Sequence, residues 1–107
     1  LRSLVGSEMC IRDSRSAVAT TKDGKVLLIT VDGRFPEQAG GVNIPELAHL
    51  IRVLGGEDAL NLDGGGSTTL WLSGASDNGV VNYPCDNGRF DHAGERKVPN
   101  ILYITHQ

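Results

Sequence analysis

The sequence predicts an α+β fold, a mixed sheet carrying one main amphipathic helix, and three observations point to it. Two β-rich runs flank an Asp-Gly turn, a helical apolar period follows a capping signal, and a further apolar run leads straight into three consecutive glycines. The expected order is strand, strand, helix, strand, strand, loop, strand.

Residues 16–20 and 25–31 lie either side of Lys22-Asp23-Gly24, a hairpin signal because Asp and Gly tolerate the positive φ that tight turns demand. The unbroken run Val26-Leu27-Leu28-Ile29 predicts a strand buried on both faces. Residues 34–42 hold Pro36 and two glycines and read as a loop. Asn43 then caps a helix over 44–54, with Glu46 three residues on as its capping-box partner and Pro45 tolerated in the first turn. Its apolar stripe is expected to bury Leu47, Leu50, Ile51 and Leu54 and to leave His49 and Arg52 outside, and Gly55-Gly56 ends it. Strands are expected at 59–62, 68–72 and 99–105. Asp77-Asn78-Gly79 and Asp86-Asn87-Gly88 are turn signals in the long polar excursion between the last two.

The 107 residues carry a net charge of −3, which argues against bulk-charge binding to nucleic acid or anionic membrane. No apolar run reaches the roughly 18 residues of a membrane span. Leu1–Ser14 is expected to be foreign to the domain: Met9-Cys10-Ile11-Arg12-Asp13-Ser14 is what the transposon end of sequencing-library adaptors encodes. Val5, Met9 and Ile11 should then pack on nothing, and the domain proper runs over 15–107. Cys10 falls in that segment and Cys85 is left without a partner, so no internal disulfide is available.

The chemistry concentrates in Asn61-Leu62-Asp63-Gly64-Gly65-Gly66-Ser67-Thr68-Thr69. Without Cβ atoms, Gly64, Gly65 and Gly66 let the backbone approach a ligand, and successive N–H groups can converge on an oxyanion, with Ser67 and Thr68 as further donors. Asp63 beside them reads as base, nucleophile or metal ligand; the competing reading is a tight turn in which Asp63 bonds its own backbone. Asp32 directly follows a strand and reads either as a second carboxylate at the same mouth or as the helper of the Asp32-Gly33 turn. Trp71 reads as a sugar platform or as core, His92 as a solvated loop residue, and His106 lies at the chain end.

Five blocks, taken together, resemble the phosphodiester glycosidase family: Arg15-Ser16-Ala17, Val31-Asp32-Gly33-Arg34, Glu46-Leu47-Ala48, the run from Ala59 to Ser67, and Glu95-Arg96-Lys97-Val98-Pro99-Asn100. The resemblance covers most of the chain and implies the C-terminal half of a larger α+β domain. It implies a hydrolase that cleaves the bond between a sugar's anomeric carbon and a phosphodiester, acting on a glycosyl phosphodiester or polysaccharide, in an exported, periplasmic or extracellular protein. Asp63 and Asp32 are then the catalytic candidates. Arg15, Arg34 and Arg96 become phosphate ligands, since guanidinium forks bind phosphate bidentately, and Asn61 and Asn100 are placed to bond sugar hydroxyls. No cofactor is implied, and a divalent cation stays open. The second class of function is a non-catalytic carbohydrate- or calcium-binding module using Asp77, Asp86 and Asp91, whose spacing does not match the twelve-residue calcium loop.

Overall fold

The computed structural model describes residues 11–105; residues 1–10 and 106–107, His106 among them, lie outside that range. Strand β1 (Arg15–Thr21) turns into β2 (Val26–Val31), helix α1 (Ile44–Val53) follows, β3 (Gly56–Asn61) returns to the sheet, and a short 3-10 turn occupies Gly65–Ser67. The sheet order is β2-β1-β3, with β1 central and antiparallel to both neighbours. Strands β2 and β3 therefore run parallel to each other, and α1 joins them by crossing the sheet. The fold class is α+β, as the sequence predicts.

The hairpin closes through the Thr21 N–H donating to the Lys25 carbonyl at 2.9 Å, with Gly24 at positive φ. The predicted capping box is present: Asn43 Oδ1 accepts from the Glu46 N–H at 2.8 Å, and Glu46 Oε1 accepts from the Asn43 N–H at 3.0 Å. Two of the orphan donors at the helix start are thereby satisfied. The core is small. Leu47 and Ile51 of α1 lie on Ala17 and Ala19 of β1, and Leu27, Ile29, Val31 and Val42 pack around them. Alanine on the central strand lets the helix approach closely.

Four expectations need correction. Leu50 and Leu54 are 38% and 57% exposed, because α1 covers a sheet only three strands wide; the stripe that touches it is Leu47 and Ile51, one turn apart, and the flanking leucines face outward. His49 and Arg52 are exposed as expected. Strand β2 is not buried on both faces: it is an edge strand with Val26 exposed, and only its alternate residues Leu27, Ile29 and Val31 meet the core. Residues 68–72 form no strand of the sheet; Trp71 instead bridges Val80 in a short ribbon, with the Val81 N–H donating to the Leu70 carbonyl at 2.8 Å. Residues 99–105 have no regular structure, and Ile101, Leu102, Tyr103 and Ile104 are exposed. A strand exists only where a neighbour completes its ladder, and among the described residues none does so for this segment.

Of the segment expected to be foreign, Ile11 is exposed, while Val5 and Met9 lie outside the described residues. Its last two residues are seated in the fold. Asp13 exchanges both backbone hydrogen bonds with Val42, at 3.2 and 3.0 Å, and Ser14 is buried. No helix among the described residues is long and apolar enough to cross a membrane.

Candidate active site

The register brings the first residue of β1 and the last residues of β2 and β3 to one end of the sheet, since Arg15 faces Val31 and Ala17 faces Asn61. The segments carrying Asp32, Arg34, Asp63 and the glycines all leave from this end.

Beyond β3 the Leu62 N–H still donates to the Ser16 carbonyl at 2.8 Å, and the Gly65 N–H then donates to the Ser14 carbonyl at 3.1 Å. Ser14 Oγ returns a bond to the Gly65 carbonyl at 2.9 Å. The turn is pinned from both sides. Gly65 and Gly66 are buried, and two guanidinium groups cover them. A Cβ built on Gly65 would stand 2.7 Å from Arg34 Nη2, and one built on Gly66 would overlap the Arg96 guanidinium and stand 2.9 Å from its Nε. Gly65 also sits at φ +60, so two separate constraints favour glycine there.

Arg34 is the only non-glycine residue at positive φ among those described, at 63°. Such strain persists where surroundings enforce it and clusters at functional sites. Its fork is bidentate on Asp13, with Nε to Oδ1 at 2.9 Å and Nη2 to Oδ2 at 3.1 Å. Arg96 donates through both Nε, at 3.1 Å, and Nη2, at 2.7 Å, to Asp86 Oδ1. Hydrogen bonding from Arg96, the largest influence, together with the charges of Arg96 and Arg34 outweighs desolvation and holds the Asp86 carboxyl below the usual carboxylate range. Burial pushes Asp13 up, but the Arg34 fork, the Ser14 amide and the Arg34 charge together outweigh it and hold that carboxyl low as well. Arg34 and Arg96 lie over the adjacent glycines Gly65 and Gly66, so the two guanidinium groups are neighbours, and the Arg34 charge opposes that of Arg96.

The remaining candidates are placed differently. Arg15 donates through Nε to the Val42 carbonyl at 3.1 Å and through Nη2 to the Ile11 carbonyl at 2.6 Å. Asp32 Oδ1 accepts the Tyr83 N–H at 2.9 Å, which gives it a structural task tying β2 to the distant loop. Asp63, Asn61 and Asn100 are exposed. The amide cradle expected of the glycine run is partly committed, because the N–H groups of Gly65, Ser67 and Thr68 donate to Ser14, Gly64 and Gly65 carbonyls. Gly64 flanks this turn as its N-terminal residue. Thr68 is fully buried, and its Oγ1 has no hydrogen-bond partner among the described residues. Trp71 is exposed rather than core, its Nε1 donating to the Asn78 carbonyl at 2.8 Å.

Asp86, which the sequence suggests only as a calcium ligand, and Asp13 are the carboxylates that hold the arginines. The available signal is the Asp86-Asn87-Gly88 turn, which folds the chain back so that the Asp86 N–H donates to the Gly94 carbonyl at 3.2 Å and Arg96 returns beside Asp86. Asp91 Oδ1 is taken by Asn87 Nδ2 at 3.0 Å and by the Ala93 N–H at 2.9 Å. Among the described residues no group of three or more His, Cys, Asp or Glu side chains is arranged to hold a metal ion. An aromatic stack also escapes the sequence pattern. Phe90 lies edge-on to Phe35 at 5.2 Å and face-on to Tyr83 at 4.0 Å, and Tyr83 in turn stacks on His92 at 4.4 Å. It braces the loop that carries Cys85 and Asp86.

Comparison with known proteins agrees with this architecture. The family model for phosphodiester glycosidases matches residues 4–105. The chain is 34% identical over 77 residues to the mouse N-acetylglucosamine-1-phosphodiester alpha-N-acetylglucosaminidase, covering 72% of this chain and 14% of the mouse protein. Against the bovine enzyme it is 35% identical over 74 residues, covering 69% and 13%. The zebrafish catalytic domain of the same enzyme, solved in a form auto-inhibited by its pro-peptide, superposes with a TM-score of 0.59 at 33% identity, covering 71% of this chain and 23% of that one. A Burkholderia pseudomallei protein described as exported superposes with a TM-score of 0.65 at 37% identity, covering 76% and 15%. The chain thus spans about a seventh of the length of these curated relatives.

Proposed function

The chain belongs to the phosphodiester glycosidase family, and from that premise we propose that it contributes the phosphate-binding and catalytic part of a hydrolase acting on a glycosyl phosphodiester. The observation that carries the reading is the pair of guanidinium groups, Arg34 and Arg96, seated on Gly65 and Gly66 at the end of the sheet where β2 and β3 finish and β1 begins. In this reaction the bond between the anomeric carbon and a phosphate oxygen breaks, water supplies the new hydroxyl on the sugar, and a phosphomonoester leaves. The leaving group is already a weakly basic anion, so neutralising it and stabilising an oxocarbenium-like transition state matter more than strong proton donation. Arg34 and Arg96 neutralise the phosphate and the Ser67 hydroxyl is a further donor, whereas Thr68 is fully buried and supports the turn. Asp63, exposed at the same sheet end, is the carboxylate that faces the developing positive charge, as acid/base or nucleophile.

Asp32, Arg15, Asn61 and Asn100 complete the candidate set. Asp32 and Arg15 are engaged by backbone groups and serve as supports. The domain part expected at 15–107 works together with Asp13 and Ser14, which hold Arg34 and Gly65, and the Burkholderia pseudomallei protein described as exported supports an exported location. The test is hydrolysis of a sugar-1-phosphodiester by a protein carrying the complete domain. Release of free sugar together with a phosphomonoester is expected; an untouched phosphodiester bond contradicts the reading.

A further inference from the structure

We propose that Asp86 is a positioning residue that locks Arg96 side-on over Gly66, so that the outer fork of its guanidinium is presented to the anion. The inference rests on the reading of Arg96 as a phosphate ligand and adds a residue to that site. Arginine has five N–H donors in a rigid planar fork. Asp86 Oδ1 takes one from Nε and one from Nη2, the edge nearest the side-chain stem. The Nη1 group has no hydrogen-bond partner among the described residues, so the edge spanning Nη1 and Nη2 stays available. That is the edge a phosphate would bind bidentately.

The pose is fixed on two sides. Gly66 offers a backbone surface that any side chain would fill, since its Cβ would overlap the guanidinium. Asp86 is itself fixed, because its N–H donates to the Gly94 carbonyl across the base of the loop. Arg34 and Arg96 cover the adjacent glycines Gly65 and Gly66, so the Asp86 carboxylate paired to Arg96 offsets the mutual repulsion of two neighbouring cations. Removing its charge loosens Arg96 and leaves the two guanidinium groups opposed.

Two variants test the proposal in a protein carrying the complete domain. Asp86→Asn keeps the shape and an oxygen acceptor but removes the charge, and Gly66→Ala displaces Arg96 while leaving Asp86 intact. The NMR signal of the Arg96 Nε–H reads the pose without any ligand. A slowly exchanging signal is expected in the parent and its loss in both variants. Inorganic phosphate binding, followed by calorimetry, is expected to weaken roughly tenfold in both, and KM for the phosphodiester should rise while kcat changes little. Parent-like or tighter phosphate binding in Asp86→Asn, with thermal unfolding unchanged, overturns the proposal, the tighter case marking Asp86 as a competitor of phosphate. A protected Nε–H signal together with no phosphate binding by the parent leaves the pose standing but overturns both the reading of Arg96 as an anion ligand and the positioning role of Asp86.

Discussion

The Arg96 guanidinium rests on Gly66, where even a methyl side chain would overlap it. A glycine run that reads in the sequence as a cradle of amides is thus also a floor for cationic side chains. The absence of Cβ atoms matters for the approach of arginines as well as for backbone conformation.

Gly65→Ala should separate binding from folding. The substitution places a methyl group 2.7 Å from Arg34 Nη2 and forces φ +60 on a non-glycine residue, at a conformational cost on the order of 1–3 kcal/mol. The protein should remain folded by circular dichroism with a lowered melting temperature, and its phosphate binding should fall.

The helix offers a test of the core. Leu47 is 3% exposed and Leu50 is 38% exposed. Leu47→Ala should cost about 2–5 kcal/mol, since it opens a cavity under α1, and Leu50→Ala much less. Chemical denaturation of both variants measures the difference, and equal losses would contradict the packing described.

Acid should release the arginines. Asp86 and Asp13 have folded-state pKa values below the ordinary one, so their contribution to stability is complete above the unfolded value, about 4, and is lost as pH falls through the depressed folded values. Stability should therefore be insensitive to these pairs between about pH 5 and 8 and should decline below about pH 4. In Asp86→Asn that decline should be shallower, as acid titration followed by circular dichroism would record.

Much of the fold is legible in the sequence because its signals are local. The hairpin follows from Asp23-Gly24, and the helix start from Asn43 and Glu46 three residues apart. Leu50 and Leu54 depart from expectation because helical period gives a face but not the width of the surface that covers it. Residues 99–105 have β-forming composition, yet a strand needs a partner that the pattern cannot supply. In the site, the glycines and Arg34 and Arg96 stand out, while their carboxylate partners do not. Asp13 and Arg34 are 21 residues apart, and Asp86 and Arg96 are 10 apart across a turn, so neither pairing leaves a periodic trace. Arg15, a cation at the same sheet end, donates through Nε and Nη2 to backbone carbonyls.

Asp63→Asn should abolish turnover of a sugar-1-phosphodiester while leaving the fold intact, because the amide preserves shape but removes the charge that faces the oxocarbenium-like transition state. Binding should survive better than turnover. Turnover close to that of the parent would leave Asp63 as a turn residue.

The most direct test of the paired-arginine site is the KM for a sugar-1-phosphodiester in Arg34→Ala, Arg96→Ala and the double variant, each checked for folding by circular dichroism. Each single variant is predicted to raise KM by roughly tenfold or more, since a phosphate without its forked partner loses a charge-assisted hydrogen-bond pair, and the double variant is predicted to raise it further. An unchanged KM in all three folded variants would contradict the assignment of Arg34 and Arg96 to the phosphate.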